Sequence, residues 1–311
     1  MKKSLVSWAA LFACNLMWSL QFTCIKLVQD QIGAFSTVFI PMLIATAFML
    51  PFVYKTVRAN KKRKVSDLKI FAVLALLGQF PAQVFITIGT QQSTATNAAI
   101  INLSLPVVSA LLAVVFLKEK MSRLRWLSFI IAIAGVILCS LKDIRGTNFS
   151  VQYLIGNLLI FLAVLGSGFY NTMCKRIAGN YTEIEMLFYT YIFMVVLLAP
   201  FVWYYEGNVL QHVSSFTGNT WTGLILLTVF HNFLSMILFF MALKNLEAIQ
   251  VALSNFLITF FGLPIAVLWL HEKLSPLAII GGILVLVSTI FITIWEYKRS
   301  SPGKIINNPG T

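Results

Sequence analysis

The sequence predicts an all-α integral membrane protein, with ten transmembrane helices in two inverted five-helix repeats. Three observations predict it: an apolar composition, a series of apolar segments of spanning length, and a match between the two halves of the chain. The 311 residues are 59% hydrophobic and 11% charged, with a mean hydropathy of +0.87, whereas soluble domains are roughly half apolar and a quarter charged. A water-soluble fold cannot cover that much apolar surface. In lipid each backbone polar group must be satisfied within its own segment, so apolar runs of about 20 residues read as spanning helices. Strand-like alternation is absent, which argues against a barrel.

The ten segments fall at about 5–28, 34–54, 69–90, 95–117, 122–141, 153–175, 183–205, 219–242, 247–270 and 275–296. Most connections are a few residues long. Met1-Lys2-Lys3 before an apolar run resembles a signal peptide, but the run continues past Trp18 without a small-residue cleavage site and is read as a retained first helix. Cys14, Cys24, Cys139 and Cys174 all lie in or beside apolar segments, without metal-like spacing. They are read as small buried hydrophobes; no metal, disulfide or cofactor is expected.

The net charge of +13 would point to nucleic acid in a soluble protein, but here its distribution is a topology signal. Ten spans place both termini on one side. With that side cytoplasmic, 19 of the 23 Lys and Arg residues are inside, and Lys26, Lys142, Arg145 and Lys273 are outside. The expectation is an inner (plasma) membrane protein of a bacterium with both termini cytoplasmic and no nucleic-acid partner.

The halves resemble one another. VVFLKEKMS (114–122) matches VLWLHEKLS (267–275) at an offset of 153, which also carries Asn102 onto Asn255. At an offset of 149, MLPFV (49–53) falls on LAPFV (198–202) and Lys26 on Lys175. An odd number of spans per half turns the second half upside down. Loop charge agrees, since the loop after segment two carries seven basic residues and the loop after segment seven none. The expected domains are residues 1–147, residues 148–298 and a cytoplasmic tail, 299–311.

Inverted repeats build transporters, with the substrate site near the bilayer midplane between the halves. Candidates are polar residues at mid-depth. Segment one offers Asn15, Trp18 and Gln21 at three-residue helical spacing, and segment six offers Ser167, Tyr170 and Asn171. Segment three carries Gln79 and Gln83 around Pro81, and segment eight carries His231, Asn232 and Ser235. Segment four adds Asn102 and Ser104 before Pro106, and segment nine adds Ser254, Asn255 and Thr259 before Pro264. Of these, Asn15, Trp18, Gln21, Gln79, Gln83, Asn102, Tyr170, Asn171, His231, Asn232 and Asn255 form the expected substrate-binding set. The competing role for any one of them is interhelical hydrogen bonding, worth about 0.6 kcal/mol per contact. Asn102 and Asn255 are equally credible as glue between the halves.

His231 is the ionisable residue placed well inside a span, and such groups are functional by default. Histidine titrates at about pH 6.5 when unperturbed, so His231 is a candidate carrier of a coupling proton, with a neutral hydrogen-bonded role as the alternative. Lys26, Glu183, Glu185 and Glu247 lie near interfaces, where gating and snorkelling explain them equally well. Glu119 and Glu272 precede segments five and ten, with Ser122 and Ser275 as N-caps, and are expected to complement the dipoles of those helices.

Ten spans, a five-plus-five repeat, WSLQFTCIK (18–26), NAAIINLSLPVVSALLAVVFLKEK (97–120) and its echo NFLITFFGLPIAVLWLHEKLS (255–275) resemble the drug/metabolite transporter superfamily in its EamA-type branch. The resemblance implies a cavity formed by segments one, three, four, six, eight and nine, with five and ten peripheral. It also implies export of amino acids, related metabolites or drugs. The chain departs from the family pattern at VFIPM (38–42), where Pro41 stands in place of an arginine. In segment nine Thr259 matches Pro106 and Pro264 comes five residues later.

The reading is a secondary active transporter, an exporter of small metabolites such as amino acids or related amphipathic compounds, using alternating access around a central cavity. The partners expected are the small-molecule substrate, membrane lipid and a proton as coupling ion. The alternative is a flippase or transporter of lipid-linked or nucleotide-linked substrates on the same fold. An enzyme is not expected, because His212, His231 and His271 are dispersed and no acidic cluster lies at mid-depth.

Overall fold

A computed structural model describes residues 2–59, 68–117, 151–207, 213–246 and 254–274, with isolated positions in 123–135, at 251 and in 276–291. The described residues are all-helical outside short turns. In chain order the helices are α1 (Lys2–Ser19), α2 (Gln21–Val28), α3 (Ala34–Ala59), α4 (Leu68–Val73), α5 (Ile86–Gln92), α6 (Ala95–Asn102), α7 (Leu105–Leu117), α8 (Val151–Ile177), α9 (Glu183–Glu206), α10 (Gly218–Ile225), α11 (Ser235–Asn245) and α12 (Phe256–Leu270). Two π-helical segments, Leu74–Gln79 and Pro81–Phe85, join α4 to α5, and a third, Leu226–Leu234, joins α10 to α11. Among the described residues six stretches are long and apolar enough to cross a bilayer: Leu5–Val28, Ala34–Thr56, Leu68–Gln92, Val151–Ile177, Glu183–Glu206 and Gly218–Asn245. They match the first, second, third, sixth, seventh and eighth segments read from the sequence.

The fourth and ninth expected segments are not uninterrupted spanning helices. The fourth divides into α6 and α7 around Leu103 and Ser104, whose N–H groups bond back only three residues, to Ile100 and Ile101. Pro106 follows and has no N–H to continue the ladder. The ninth is described as α12, which starts after Asn255 and stops where His271 takes a left-handed conformation, φ 54°. The fifth and tenth segments, with Ser122, Ser275 and Glu247, lie mostly or wholly outside the described residues.

Local sequence sets the helix starts. Thr94, Thr182 and Thr217 each accept a hydrogen bond from the N–H three residues on, satisfying a donor that the first turn leaves unpaired. Thr182 and Glu185 complete a reciprocal capping box.

Two cores hold the bundle together. One gathers Met42, Met49, Phe71, Tyr191, Phe239 and Phe240 from α3, α4, α9 and α11. The other packs the small residues Ala95, Ala98 and Ala99 of α6 against Ile160 and Ala163 of α8. Small residues let helices approach where lipid supplies no hydrophobic drive for association. Outside the cores the surface is apolar, and Trp203, Tyr204 and Tyr205 at the end of α9 are exposed, as in the aromatic belts of membrane interfaces.

Cross-contacts sort the helix ends into two faces. Lys26 reaches Gln91, Gln31 reaches Ser215 and Thr217, Ser93 reaches Asn157, Glu206 reaches Phe35 and Glu272 reaches Ala95. One face therefore holds the ends of α2, α5, α9 and α12 and the starts of α3, α6, α8 and α10. At the other face Phe71 packs on Tyr181 and Lys244 pairs with Glu183 at 2.8 Å.

Candidate substrate cavity

Every broken or π-wound stretch named above meets at one place. The chain turns between α1 and α2 at Leu20, between Trp18 and Gln21. The π segments around Pro81 and around His231 are over-wide turns of the kind found at functional sites. Between them and the α6–α7 break lies a cavity of about 70 Å³, several times the space one water requires. Its polar wall is Trp18, Gln21, Gln79, Gln83, Asn102, Ser167, Tyr170, Asn171 and His231, and its apolar wall is Phe22, Ala82, Leu105, Met236 and Ile258.

Eight of the eleven residues expected at a substrate site are in that wall. The side chains of Gln21 and Gln83 bond to each other, Nε2 to Oε1, at 2.9 Å. Trp18 Nε1 and His231 Nδ1 are buried without a hydrogen-bond partner among the described residues. Gln79, Asn102 and His231 are all less than 9% exposed. Two buried core rings link Trp18 and Tyr170 behind the wall: Trp18 lies 5.1 Å from Phe239, Phe239 5.4 Å from Phe240, and Phe240 6.4 Å from Tyr170. Among the described lining residues there is no aspartate, glutamate, lysine or arginine. The site can offer amide donors and acceptors, an indole N–H, an imidazole and aromatic faces, but no fixed charge.

The other three expected residues are off the wall, two of them in interhelical hydrogen bonds. Asn15 Nδ2 donates to Ser254 Oγ at 2.8 Å and to the Leu11 carbonyl. The Tyr191 hydroxyl donates to the Asn232 carbonyl at 2.8 Å and lies 3.2 Å from its Oδ1, while Asn232 Nδ2 donates to the Leu227 carbonyl five residues back. Asn255 is buried at the head of α12. Nearby, Thr259 Oγ1 donates to the Ala99 carbonyl of α6 at 2.6 Å, tying α12 to α6. The apolar part of the wall was not legible: Phe22, Ala82, Leu105, Met236 and Ile258 look like any other residue of an apolar helix. Only their spacing of one, three or four residues from Gln21, Gln79, Asn102, Asn232 and Asn255 marks them.

Glu272 has partners that its place in the sequence does not suggest: its carboxylate accepts the N–H groups of Ala95 and Thr96 at 2.9 and 2.8 Å, at the start of α6. Lys26 Nζ donates to the Gln91 carbonyl at 3.1 Å, and Lys175 Nζ to the Leu246 carbonyl at 2.7 Å. Each lysine thus binds the carbonyl end of a helix, where a cation is favourable. Glu185 is buried in its capping box. Cys14, Cys24 and Cys174 are free and buried.

Comparison with known proteins defines the class. The model of the EamA-like transporter family matches residues 6–141 and again 154–294, so the chain belongs to that family and carries its domain twice. This agrees with the drug/metabolite transporter resemblance read from the sequence, and the homologues are transporters. The chain is 23% identical over 312 residues to a protein of Streptantibioticus cattleyicolor named as a probable terminal-alkyne amino-acid exporter, covering 98% of this chain and all of that one. It is 24% identical over 280 residues to an S-adenosylmethionine uptake transporter of Rickettsia felis, covering 89% and 88%. The match to the uncharacterized transporter YetK of Bacillus subtilis, 22% identical, spans 64% of this chain and 61% of that protein. A solved crystal structure superposes with a TM-score of 0.62 over 96% of this chain at 16% identity, a likeness of fold.

Proposed function

We propose that this protein is a secondary active transporter that exports small metabolites, amino acids or related amphipathic compounds. It works by alternating access around the cavity, with the two copies of the family domain, residues 1–147 and 148–298, as inverted halves. The observation that carries the reading is the cavity itself: an uncharged polar chamber where interrupted helices of both copies converge. Discontinuous helices at mid-depth are how such transporters place a substrate site.

Inversion is supported by helix direction. The C-terminal end of α2 and the N-terminal end of α8 lie at the same face, so the first helix of each copy runs oppositely through the bundle. With the N-terminus cytoplasmic, that shared face is the outer one. Substrate contacts are assigned to Trp18, Gln21, Gln79, Gln83, Asn102, Tyr170, Asn171 and His231; Asn15 and Asn232 hold the surrounding helices. His231 carries the coupling proton, being the one imidazole among the described lining residues, with a buried nitrogen that has no partner among the described residues.

An uncharged wall favours neutral and zwitterionic compounds of amino-acid size, because an unpaired net charge is expensive to desolvate there. The export direction and an amino-acid substrate are supported by the Streptantibioticus relative's name, the S-adenosylmethionine uptake relative being the opposing precedent. The test is purified protein in liposomes, screened with radiolabelled amino acids, nucleosides and S-adenosylmethionine, with and without an imposed proton gradient. Gradient-driven movement of neutral amino acids toward the acidic side is expected. Movement of none of these compounds in either direction would remove the reading.

A further inference from the structure

Resting on the alternating-access reading, we propose that the carboxylates of Glu206 and Glu272 are latches that close one face of the transporter by bonding the starts of α3 and α6 across the two domain copies. They are positioning residues and do not touch the cavity. Glu206 ends α9 in the second copy, and its two oxygens accept the N–H groups of Phe35 and Ser36 of the first copy at 3.0 and 2.7 Å. Glu272 follows α12 in the second copy and does the same to Ala95 and Thr96 at 2.9 and 2.8 Å.

The two contacts share one chemistry. A helix start presents unpaired N–H groups and a partial positive charge, so a carboxylate spanning two successive N–H groups makes two charge-assisted bonds. Both joints sit at the face where Gln31 of the first copy also grips the head of α10, accepting from Thr217 N and donating to Ser215 O, 2.8 and 2.9 Å. Lys26, at the same face, lies within Coulomb reach of Glu272 and Asp30 and binds Gln91.

At the opposite face Lys244 pairs with Glu183 and Lys175 bonds Leu243 and Leu246 within the second copy, while Phe71 of the first copy packs edge-on against Tyr181 of the second. Four N–H bonds to carboxylates thus cross between the copies at the latched face and must break for the copies to part there. They join helix ends, and both carboxylates are only half-buried, so water can replace each bond without repacking a core. Gly33 completes the Glu206 latch, since a Cβ there would lie 2.2 Å from the Glu206 carboxyl carbon. Only glycine leaves room for the carboxylate to reach Phe35 and Ser36.

The test reads conformation without substrate, so it fails or succeeds independently of which compound is exported. In a cysteine-free background, S167C places one thiol in the cavity wall, and K273C in a separate protein reports which side of the membrane carries the latched face. Labelling by a membrane-impermeant maleimide is measured in whole cells and in inverted vesicles. In the parent, S167C should be protected from the latched side. Losing charge-assisted bonds shifts a two-state equilibrium by about tenfold or more. G33A, E272Q and the double variant E206Q/E272Q should each raise labelling from that side by roughly this factor, without raising it from the other. Glu272→Asp, which keeps the charge, should restore part of the protection. Unchanged labelling in G33A and in the double variant overturns the proposal. So does an equal rise from both sides, which would mark the carboxylates as general structural supports.

Discussion

Gly166 packs two cavity walls together, and replacing it with alanine tests that packing. A Cβ at Gly166 would lie 2.8 Å from the Ala82 nitrogen, 2.9 Å from the Gly78 carbonyl oxygen and 2.9 Å from Pro81 Cγ. Two of these are backbone atoms of the π-wound stretch that carries Gln79 and Gln83, so no side-chain rotation relieves the contact. Alanine gains about 0.5–1 kcal/mol over glycine in a helix interior, but overpacking costs about 1–3 kcal/mol. The cost wins, and α8 must move away from the π segment. Because Ser167, Tyr170 and Asn171 sit on α8 beside Gly166, that movement shifts them relative to Gln79 and Gln83. Gly179→Ala is the matched control. It meets no atom within 4 Å and should be neutral or stabilising by up to about 1 kcal/mol. Thermal unfolding in detergent and transport in liposomes are measured for both. Gly166→Ala should unfold at a lower temperature than Gly179→Ala and transport more slowly. If the two variants have the same unfolding temperature and the same transport rate, the close approach of α8 to the π segment is not what shapes the cavity.

Trp18→Ala removes an aromatic wall 5.1 Å from Phe239 and should slow transport at least tenfold while the protein remains folded; normal kinetics would take Trp18 out of the site. His231→Gln keeps hydrogen bonding without titration, and is expected to abolish accumulation driven by a proton gradient while sparing exchange of labelled for unlabelled substrate. Gradient-driven accumulation equal to the parent would move coupling elsewhere. Tyr191→Phe leaves the buried Asn232 Oδ1 and carbonyl without their hydroxyl partner, which should destabilise by about 1–2 kcal/mol. It should lower the unfolding temperature and leave substrate selectivity unchanged; altered selectivity would instead place Asn232 among the substrate contacts.

How much was legible follows from how far each signal acts along the chain. Composition and segment length are local, and lipid leaves the backbone no choice but helix, so six of the ten segments and most of their ends could be read directly. Repetition at fixed offsets is also carried by sequence, and the family domain matches twice, at 6–141 and 154–294. Polar residues in an apolar run stand out because their burial is costly, which is why Trp18, Gln79, Asn102 and His231 could be named before any coordinates. What a polar residue bonds to is not local. Asn15 meets Ser254 from 239 positions away, and nothing in its own segment separates that role from the cavity-facing role of Gln21. Glu272 reads as a dipole partner for the segment that follows it, and nothing near it in the sequence points to Ala95 and Thr96, 177 and 176 positions away, whose N–H groups its carboxylate accepts. By itself the sequence determined the solvent, the helices, the repeat and a short list of chemically costly residues. Only the tertiary structure decided which of them share a cavity and which tie helices together, because the direction of a side chain depends on helix breaks, π turns and glycine contacts that set how the segments cross.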